Sequence, residues 1–436
     1  MKKILNFIIY LSISLDLGCN KDIPPTPTPP NPNPYACMYG LCDTSKLNLV
    51  WQVPLSKDTA EWASISPVLY KDNVVFSKSM LYGGEDTLKM FSSKTGKLQW
   101  EWSDYLLKGT INALDGMYQF NGKLFVNTFA EVHCINAEDG KSVWTSEAPN
   151  RRGHPFFKMI GEDIYHIHEK SVNSAWVSST LVKHDINTGA WSPIFKQDSI
   201  GKYEPSLELP SKWTSPEGHE ILIFQARFVD FSFSNKSPNL IDVIAYDTQD
   251  KREYFRLKNI DSLNMSGSAK TAFILNNKAY IPLKNRIACI DLLTKKILWF
   301  KQMNPGVGFS SGNPFVFVEN KFFVKPDDRV LYQLNPDTGE EIWVDKDNGS
   351  GCSDMVYHQG RLYYACSGTG KIYAMEVATG KKIWAEPSPN KFPNAMNGNR
   401  RRSNANIGAR GIAIDSTLGY LYASDYYFGM CLKLPK

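Results

Sequence analysis

One short motif recurs along most of the chain and constrains its fold more than any other feature. It is a polar turn, usually containing Thr-Gly, with a tryptophan four residues after the glycine. Clear copies occupy residues 92–100, 136–144, 291–299, 335–343 and 376–384, and degenerate copies lie at 185–193 and 247–255. Self-similarity with a period of about 40–50 residues is typical of propellers and solenoids. The repeat therefore predicts one of these two architectures.

The residues between the copies predict four strands per repeat. A polar turn containing Gly or Asn separates two β-rich runs, as expected for a hairpin. Residues 361–366 are one such second strand, and residues 371–375 are the third strand of the same repeat. The Thr-Gly turn then leads to the fourth strand, which carries the tryptophan. Four short antiparallel strands make one propeller blade.

The number of turns predicts eight blades and a closed ring. Turns between the first two strands occur eight times, whereas the Thr-Gly type occurs seven times, because the last repeat (residues 411–434) stops before its tryptophan strand. Trp51 lies in residues 47–55, just before the first repeat. We therefore predict an all-β, eight-bladed β-propeller of four-stranded antiparallel blades, whose last blade is closed by the N-terminal strand. The repeat tryptophans are Trp51, Trp100, Trp144, Trp299, Trp343 and Trp384.

The repeat resembles the eight-bladed quinoprotein-like propellers, which carry the tryptophan-docking repeat of the pyrroloquinoline-quinone family. The resemblance covers residues 47–434. In its domain organisation, the chain resembles the lipid-anchored propellers of the outer-membrane β-barrel assembly machinery. This resemblance implies a scaffold function. The motif is specific for the fold and not for the activity. Blades three and four depart from the pattern, because they are longer and lack the tryptophan at the expected position.

The N-terminus predicts a lipoprotein. Two lysines precede an apolar stretch that is too short to span a membrane, as in a secretory signal. The residues up to Cys19 resemble a bacterial lipobox, in which that cysteine is lipidated, although Asp16 departs from the pattern. An ordinary signal peptide with an incidental cysteine is the alternative. The predicted organisation is a signal peptide at 1–18, a lipidated cysteine with a Pro-rich tether at 19–46, and the propeller at 47–434.

Composition limits the partners that we expect. The net charge of +5 is small for 436 residues and does not favour nucleic acid. No later segment approaches about 18 uninterrupted apolar residues, the length of a membrane span. We expect an outer-membrane lipoprotein, on the periplasmic side or at the cell surface, that contacts the membrane through its N-terminal lipid and is a monomer. Residues 20–22 resemble the short charged signals that direct some lipoproteins to the surface.

The cysteines fall into two groups. An oxidising compartment would allow Cys37 to pair with Cys42, and Cys352 with Cys366 across the hairpin of blade seven. The other group occupies one equivalent slot on the third strand of three blades, which predicts small buried apolar side chains. Its members are Cys134, Cys289 and Cys431.

Catalysis is not expected, and no catalytic residue is assigned. The quinone-dependent dehydrogenases of the family resemble one another in a vicinal Cys-Cys pair, which this chain lacks, and it has no Cys-x-x-Cys-His haem site. No cofactor is predicted.

The best metal-like pattern is His166 and His168, which share a strand face, with Glu169 or His184 able to approach. Two histidines without a clear third ligand are a weak zinc pattern, so we predict a half-exposed strand face and no metal.

Loops on one predicted face of the propeller are the candidate binding residues. The loops that enter each innermost strand share a face with the loops between the second and third strands. Basic residues are concentrated in the loops that enter blades three and eight. Aromatic residues are concentrated in the loops between the second and third strands of blades four and eight. A solvated, variable surface is the alternative. The candidates are Arg151, Arg152, His154, Phe228, Phe231, Phe233, Arg400, Arg401, Arg402, Arg410, Tyr426 and Tyr427.

Three functional hypotheses follow. The first is a non-catalytic protein-binding or scaffold module at the bacterial envelope, whose aromatic anchors and arginine rim dock a protein partner. A partner strand could also pair with an exposed blade edge. The second is a surface protein that binds or cleaves a polysaccharide in the central funnel. The third is a structural domain without a specific ligand.

Overall fold

The four-stranded unit that the repeat predicts is present eight times in the structure, a computed structural model. The described residues are 45–55, 61–62, 66–80, 87–104, 117–127, 131–147, 157–172, 175–230, 239–263, 271–283, 285–304, 308–309, 314–366, 368–389, 411–425 and 428–434. Within these ranges, no helix is long and apolar enough to cross a membrane.

The first half of the chain contains β1 and blades one to four. The strands are β1 (Asn48–Pro54), β2 (Glu61–Trp62), β3 (Val68–Tyr70), β4 (Asn73–Met80), β5 (Thr87–Ser92), β6 (Leu98–Trp102), β7 (Met117–Phe120), β8 (Lys123–Asn127), β9 (Glu131–Asn136), β10 (Ser142–Glu147), β11 (Phe157–Ile160), β12 (Asp163–Val172), β13 (Ala175–His184), β14 (Trp191–Asp198), β15 (Tyr203–Leu207), β16 (Ser211–Thr214), β17 (Glu220–Asp230), β18 (Asn239–Asp247) and β19 (Arg252–Leu263). Blade one is β2–β6, blade two β7–β10, blade three β11–β14 and blade four β15–β19.

The second half contains blades five to eight. The strands are β20 (Phe273–Leu275), β21 (Lys278–Pro282), β22 (Arg286–Asp291), β23 (Lys296–Gln302), β24 (Phe315–Val318), β25 (Lys321–Val324), β26 (Leu331–Leu334), β27 (Glu341–Asp345), β28 (Val356–His358), β29 (Arg361–Cys366), β30 (Lys371–Glu376), β31 (Lys382–Pro387), β32 (Ala413–Asp415), β33 (Tyr420–Ser424) and β34 (Phe428–Lys433). Blades five, six and seven are β20–β23, β24–β27 and β28–β31, and blade eight is β32–β34 with β1.

Ring closure by the N-terminal strand is confirmed. Strand β1 pairs antiparallel with β34, with Trp51 opposite Cys431 and Pro54 opposite Phe428. The order within the last blade is therefore β1-β34-β33-β32. Both ends of the described chain are tied into one sheet.

Blades one and four each contain one strand more than predicted. In blade four, β15 and β16 both pair with the long strand β17, so the innermost strand is divided in two. The division falls at Pro210, which has no backbone N–H to continue a ladder. In blade one, β2 and β3 both pair with β4.

The apolar core lies between the blades. The described residues form eight hydrophobic clusters, one at each interface between neighbouring blades. The cluster that joins blade eight to blade one contains Val53, Phe76 and Tyr422. Because each sheet buries both faces against its neighbours, the second and third strands are nearly continuous runs of buried residues.

The repeat tryptophans dock from one blade onto the next. The indole of Trp51 lies over Gly96 of blade one, and its Nε1–H donates to the carbonyl oxygen of Ser93 at 2.9 Å. Trp100 and Trp144 make the equivalent bonds to the carbonyl oxygens of Ala137 and Ile186. The turn glycines have φ near +70° and no Cβ, so the ring can lie directly on the turn. The motif is therefore an interblade joint.

The antiparallel order of each blade defines two faces of the propeller. Each innermost strand begins on one face, and the loop between the second and third strands returns to that same face. We call this the entry face. The hairpin turns and the Thr-Gly turns lie on the opposite face, which we call the turn face.

Candidate functional site

The sequence predicted that the candidate binding residues lie in loops of the entry face. Most of them lie outside the described residues: Arg151, Arg152, His154, Phe231, Phe233, Arg400, Arg401, Arg402, Arg410, Tyr426 and Tyr427. So do Cys19, Cys37 and Cys42. Their roles stay predictions.

The prediction that Phe228 is an exposed loop anchor is wrong. Strand β17 continues to Asp230, and Phe228 pairs with Pro205 on one side and Leu240 on the other. The side chain is 2% exposed, in the apolar cluster between blades three and four. The residue is part of the core because the second strand of this long blade extends further than its sequence suggested.

Around blades six and seven, the entry face is held together by several contacts. The loop that enters blade seven is tied down by the disulfide between Cys352 and Cys366, which is the predicted pair. Asp327 accepts a hydrogen bond from the Gly351 N–H at 3.0 Å, and the buried Asn348 accepts one from the Tyr364 hydroxyl. These contacts hold a polar platform at the end of two neighbouring blades.

A buried lysine that was not predicted from the sequence lies at the centre of this platform. The Lys325 ammonium donates to the carbonyl oxygens of Pro326 at 2.7 Å and Gly349 at 2.8 Å. The residue is 3% exposed, and burial lowers its pKa to about 8, although nearby aspartates favour the charged form. Those carboxylates belong to Asp327, Asp328 and Asp345. Nothing in the local sequence distinguishes this lysine from an exposed one.

We expect the contribution of Lys325 to the stability of the protein to rise between about pH 8 and pH 9.5. Its folded pKa lies below the usual 10.5, so in this window the unfolded chain binds more protons and raising the pH favours the folded state. The largest possible change in the free energy of unfolding from Lys325 is about 3 kcal/mol, because each unit of pKa difference between the folded and unfolded states is worth about 1.36 kcal/mol. Urea denaturation of wild type and Lys325→Met, compared at several pH values, measures it.

Lys325→Met should therefore lose stability relative to wild type as the pH rises through this window, whereas Lys158, whose pKa burial also lowers to about 8, contributes equally to both proteins. Lys346→Met, which removes an exposed lysine close by, is the matched control and should keep the wild-type profile. An identical pH dependence in wild type and Lys325→Met would contradict the expectation.

The outer strands expose a repeated apolar residue that was also not predicted. In the six outer strands that carry a repeat tryptophan, the pairing register shifts at the residue just before it, which is a β-bulge. The bulge leaves this residue unpaired and turned outward. In five blades it is an aliphatic residue, 40–57% exposed: Val50, Val143, Leu298, Ile342 and Ile383. In the sequence, this residue stands directly before each of these tryptophans, but its exposure follows from the register shift.

Blade five presents the most apolar outer strand. In β23, Leu298 is 45% exposed and Phe300 is 44% exposed, in a strand whose residues alternate between exposed and half-buried. The Arg286 guanidinium lies 4.4 Å from the centre of the Phe300 ring and also bonds Asp261 at 3.1 Å. A cation held over the ring fixes its orientation. In the described part of the chain, no strand pairs with the outer edge of β23.

The predicted half-exposed histidine face is wrong, because these histidines are buried. His166 is fully buried, His168 is 9% exposed, and His184 of the next strand is 1% exposed. One ring nitrogen of each residue lies within 4.8 Å of those of the other two. Burial lowers the pKa of His166 well below its usual range and that of His168 to about 4, so the imidazoles are neutral.

A second group with metal-like side chains is already satisfied by its own contacts. His219 Nδ1 lies 2.7 Å from the Asp247 carboxylate, and this hydrogen bond raises the pKa of His219. The other oxygen of Asp247 accepts the backbone N–H groups of Gln249 and Asp250. The group is an ion pair that caps a turn.

The prediction for the three unpaired third-strand cysteines is confirmed. Cys134, Cys289 and Cys431 are free and completely buried. Burial raises the pKa of each thiol, to about 11 for Cys134 and about 12 for the other two. A thiol that stays protonated is a poor nucleophile, so these residues act as small apolar side chains.

A family model matches the chain over residues 84–190 and 242–425; its description is outer membrane protein assembly factor BamB. No curated protein sequence is similar enough to match.

Among solved structures, BamB from Moraxella catarrhalis has a TM-score of 0.55 at 13% identity, over 89% of this chain and 98% of that chain. A europium-containing methanol dehydrogenase has a TM-score of 0.61 at 12% identity, over 88% and 86%. Sqt1 from Saccharomyces cerevisiae has a TM-score of 0.57 at 11% identity, over 89% and 100%. At these identities the likeness shows the fold alone.

Proposed function

The chain belongs to the family described as outer membrane protein assembly factor BamB, and from this premise we propose that it is a non-catalytic protein-binding module of the bacterial envelope. A BamB-like propeller suggests a protein-interaction scaffold in general. The anchor is proposed from the sequence: Cys19 carries the lipid, and the Pro-rich tether separates the propeller from the outer membrane. Two dehydrogenases, a europium-containing methanol dehydrogenase and a quinohemoprotein alcohol dehydrogenase, are among the structures similar to this chain, so absence of catalysis stays a prediction.

The observation that carries the proposal is the exposed outer strand of blade five. Leu298 and Phe300 offer two large apolar side chains on a strand with one free edge, and Arg286 holds the aromatic ring in place. An extended partner segment can pair with such an edge through its backbone and fill the space beside the two side chains. An aromatic ring that is already oriented loses little conformational entropy on binding.

Charge at the ends of the strand favours a specific register for the partner. Lys296 is exposed at the start of β23, and Lys301 bonds Glu341 of blade six at 2.7 Å. This ion pair links the outer strands of the neighbouring blades five and six. We propose that the partner segment carries an acidic residue opposite Lys296, next to its apolar ones, because a like charge there would be repelled.

The basic and aromatic loops of the entry face are proposed as a second contact. We chose one residue to represent each of the four predicted loop segments: Arg152, Phe231, Arg401 and Tyr427. The disulfide and Lys325 tie down that face at blades six and seven, which gives the proposed contact a fixed neighbour.

Site-specific photo-crosslinking in the native host tests the proposal. Probes at Leu298 and Phe300 should give one dominant protein adduct, identified by mass spectrometry. A probe at Leu98, which is 47% exposed on the outer strand of blade one, is the matched control and should not give that adduct. Probes at Arg152, Phe231, Arg401 and Tyr427 test the second contact.

Equal adducts from Leu98 and Leu298, or no protein adduct from any position, would contradict the proposal. In the second case a screen for glycan binding and glycan cleavage follows, since a polysaccharide ligand is the alternative hypothesis from the sequence.

A further inference from the structure

Three imidazoles lie together on one face of blade three. His166 and His168 lie on β12, and His184 lies on β13. Strand register places them on one side of the sheet, because His184 lies opposite Ile164 and residues directly opposite in an antiparallel pair share a face. The ring centres are 5.1, 6.0 and 6.4 Å apart.

This face is buried against blade two. Ile164, two residues before His166, packs in one cluster with Phe125 and Cys134 of blade two. On the outer side, the ring of Trp191 meets the ring of His168 edge to face, with 4.4 Å between the ring centres. Trp191 lies where the blade departs from the usual tryptophan pattern, and it covers the histidines.

The ring nitrogens of this cluster lack the partners that buried polar atoms need. Within the described ranges, neither nitrogen of His166 has a hydrogen-bond partner, and neither does Nε2 of His168 or of His184. Leaving such atoms unpaired in the interior disfavours folding. Three histidines lie close together, and each has a buried ring nitrogen without a partner among the described residues. This arrangement points to one ligand that all three share.

The second nitrogen of His184 shows which atom is available. Its Nδ1 lies 3.2 Å from the carbonyl oxygen of Gly189, so Nδ1 carries the hydrogen and Nε2 keeps its lone pair. Gly189 is the glycine on which Trp144 docks, so a rigid turn holds this bond. A backbone carbonyl that orients the far nitrogen is a usual feature of histidines that bind metal ions.

The blade architecture does not itself require histidine at these positions. Blade two has Val126 in the place of His166 and Ile135 in the place of His184, by alignment of their hairpin and Thr-Gly turns. Both residues are buried there in an ordinary apolar cluster. Imidazoles in blade three are therefore not needed to fill the interface.

We propose that His166, His168 and His184 bind one divalent transition-metal ion of the zinc class. Neutral imidazole suits zinc, cobalt, nickel and copper, whereas calcium and magnesium prefer oxygen ligands. Zinc–nitrogen bonds of about 2.0–2.1 Å in a tetrahedron place the nitrogens roughly 3.4 Å apart, so binding draws the three rings slightly closer. The fourth position is open to water or to an external ligand. The ion ties β12 to β13 beside the joint between blades two and three.

Metal titration of the purified full-length protein, stripped with a chelator, tests the proposal. Cobalt should bind at one equivalent with the strong visible absorption of a tetrahedral ion, and zinc should displace it. Zinc at about 100 times its dissociation constant should raise the melting temperature by about 3 °C. Calcium should produce neither effect. No saturable cobalt or zinc binding by the wild-type protein would overturn the proposal.

A variant that copies two residues of blade two separates metal binding from folding. His166→Val combined with His184→Ile introduces the residues of the neighbouring blade, so the protein should fold with a wild-type circular dichroism spectrum. It should bind zinc roughly 100-fold or more weakly. His168→Gln, at the edge of the cluster, is a second variant with the same expected loss.

His219→Asn is the matched control, because it removes a histidine from the other metal-like group. It should keep wild-type affinity and stoichiometry. A folded His166→Val/His184→Ile protein that binds zinc as tightly as wild type, or a loss of binding in His219→Asn instead, would overturn the assignment.

Discussion

Gly380→Ala is expected to destabilise the propeller by about 2–5 kcal/mol. The residue has φ of +72°, where an alanine costs about 1–2 kcal/mol, and a Cβ at this position would lie 2.3 Å from Cε2 of Trp343. The indole must move to make room, and overpacking of this kind costs about 1–3 kcal/mol more. Trp343 belongs to blade six and Gly380 to blade seven, so the damage falls on an interblade joint.

Gly161→Ala separates the two contributions. Gly161 has φ of +62°, and a Cβ there would meet nothing within 4 Å, so only the backbone cost applies. Urea denaturation followed by circular dichroism should give a difference between the two variants of about 1–3 kcal/mol. Equal losses in both variants would show that the docked tryptophan contributes nothing to the requirement for glycine.

Trp51→Ala is expected to destabilise the protein by about 3 kcal/mol and to loosen the closure of the ring. The indole contacts Gly96, lies 6.0 Å from the Tyr422 ring and donates to the Ser93 carbonyl oxygen. Truncation of a packed tryptophan costs about 3–5 kcal/mol when it is fully buried, and this ring is half-buried. The strand that carries it joins the beginning of the propeller to its end.

Leu49→Ala is the control on the same strand. Leu49 is 39% exposed, so its truncation should change the free energy of unfolding by less than about 0.5 kcal/mol. Limited proteolysis supplies a second measurement, since Trp51→Ala should speed cleavage around β1 whereas Leu49→Ala should not. If Trp51→Ala left both the urea midpoint and the cleavage rate at wild-type values, closure would not depend on this joint.

The architecture was predictable because its information is local and repeated. A turn glycine, a tryptophan four residues later and a fixed period define each blade without knowledge of any distant contact. The missing tryptophan strand of the last blade and the extra Trp51 predicted closure, and the pairing of β1 with β34 confirms it. The unpaired third-strand cysteines were predictable for the same reason, since equivalent slots of different blades share one environment.

The candidate sites were less predictable because they depend on residues that the fold brings together. The outward position of Leu298 results from a β-bulge, and the sequence alone does not show where a ladder shifts by one residue. Phe228 was predicted in a loop, but the extension of β17 to Asp230 places it in the core. The histidine pair was visible, but its burial and its third member follow from the packing of blades two and three.

The sequence by itself determined the number of blades, the order of strands within them and the closure of the ring, because turn chemistry and strand alternation act over a few residues. Only the tertiary structure decided what the motif residues touch. Five of the six repeat tryptophans meet the turn glycine of the next blade, some 40 residues later in the chain, as for Trp51 and Gly96. Contacts of that range depend on how whole sheets pack, which is why the interblade joints, the exposed rim and the three buried imidazoles became visible only in the folded ring.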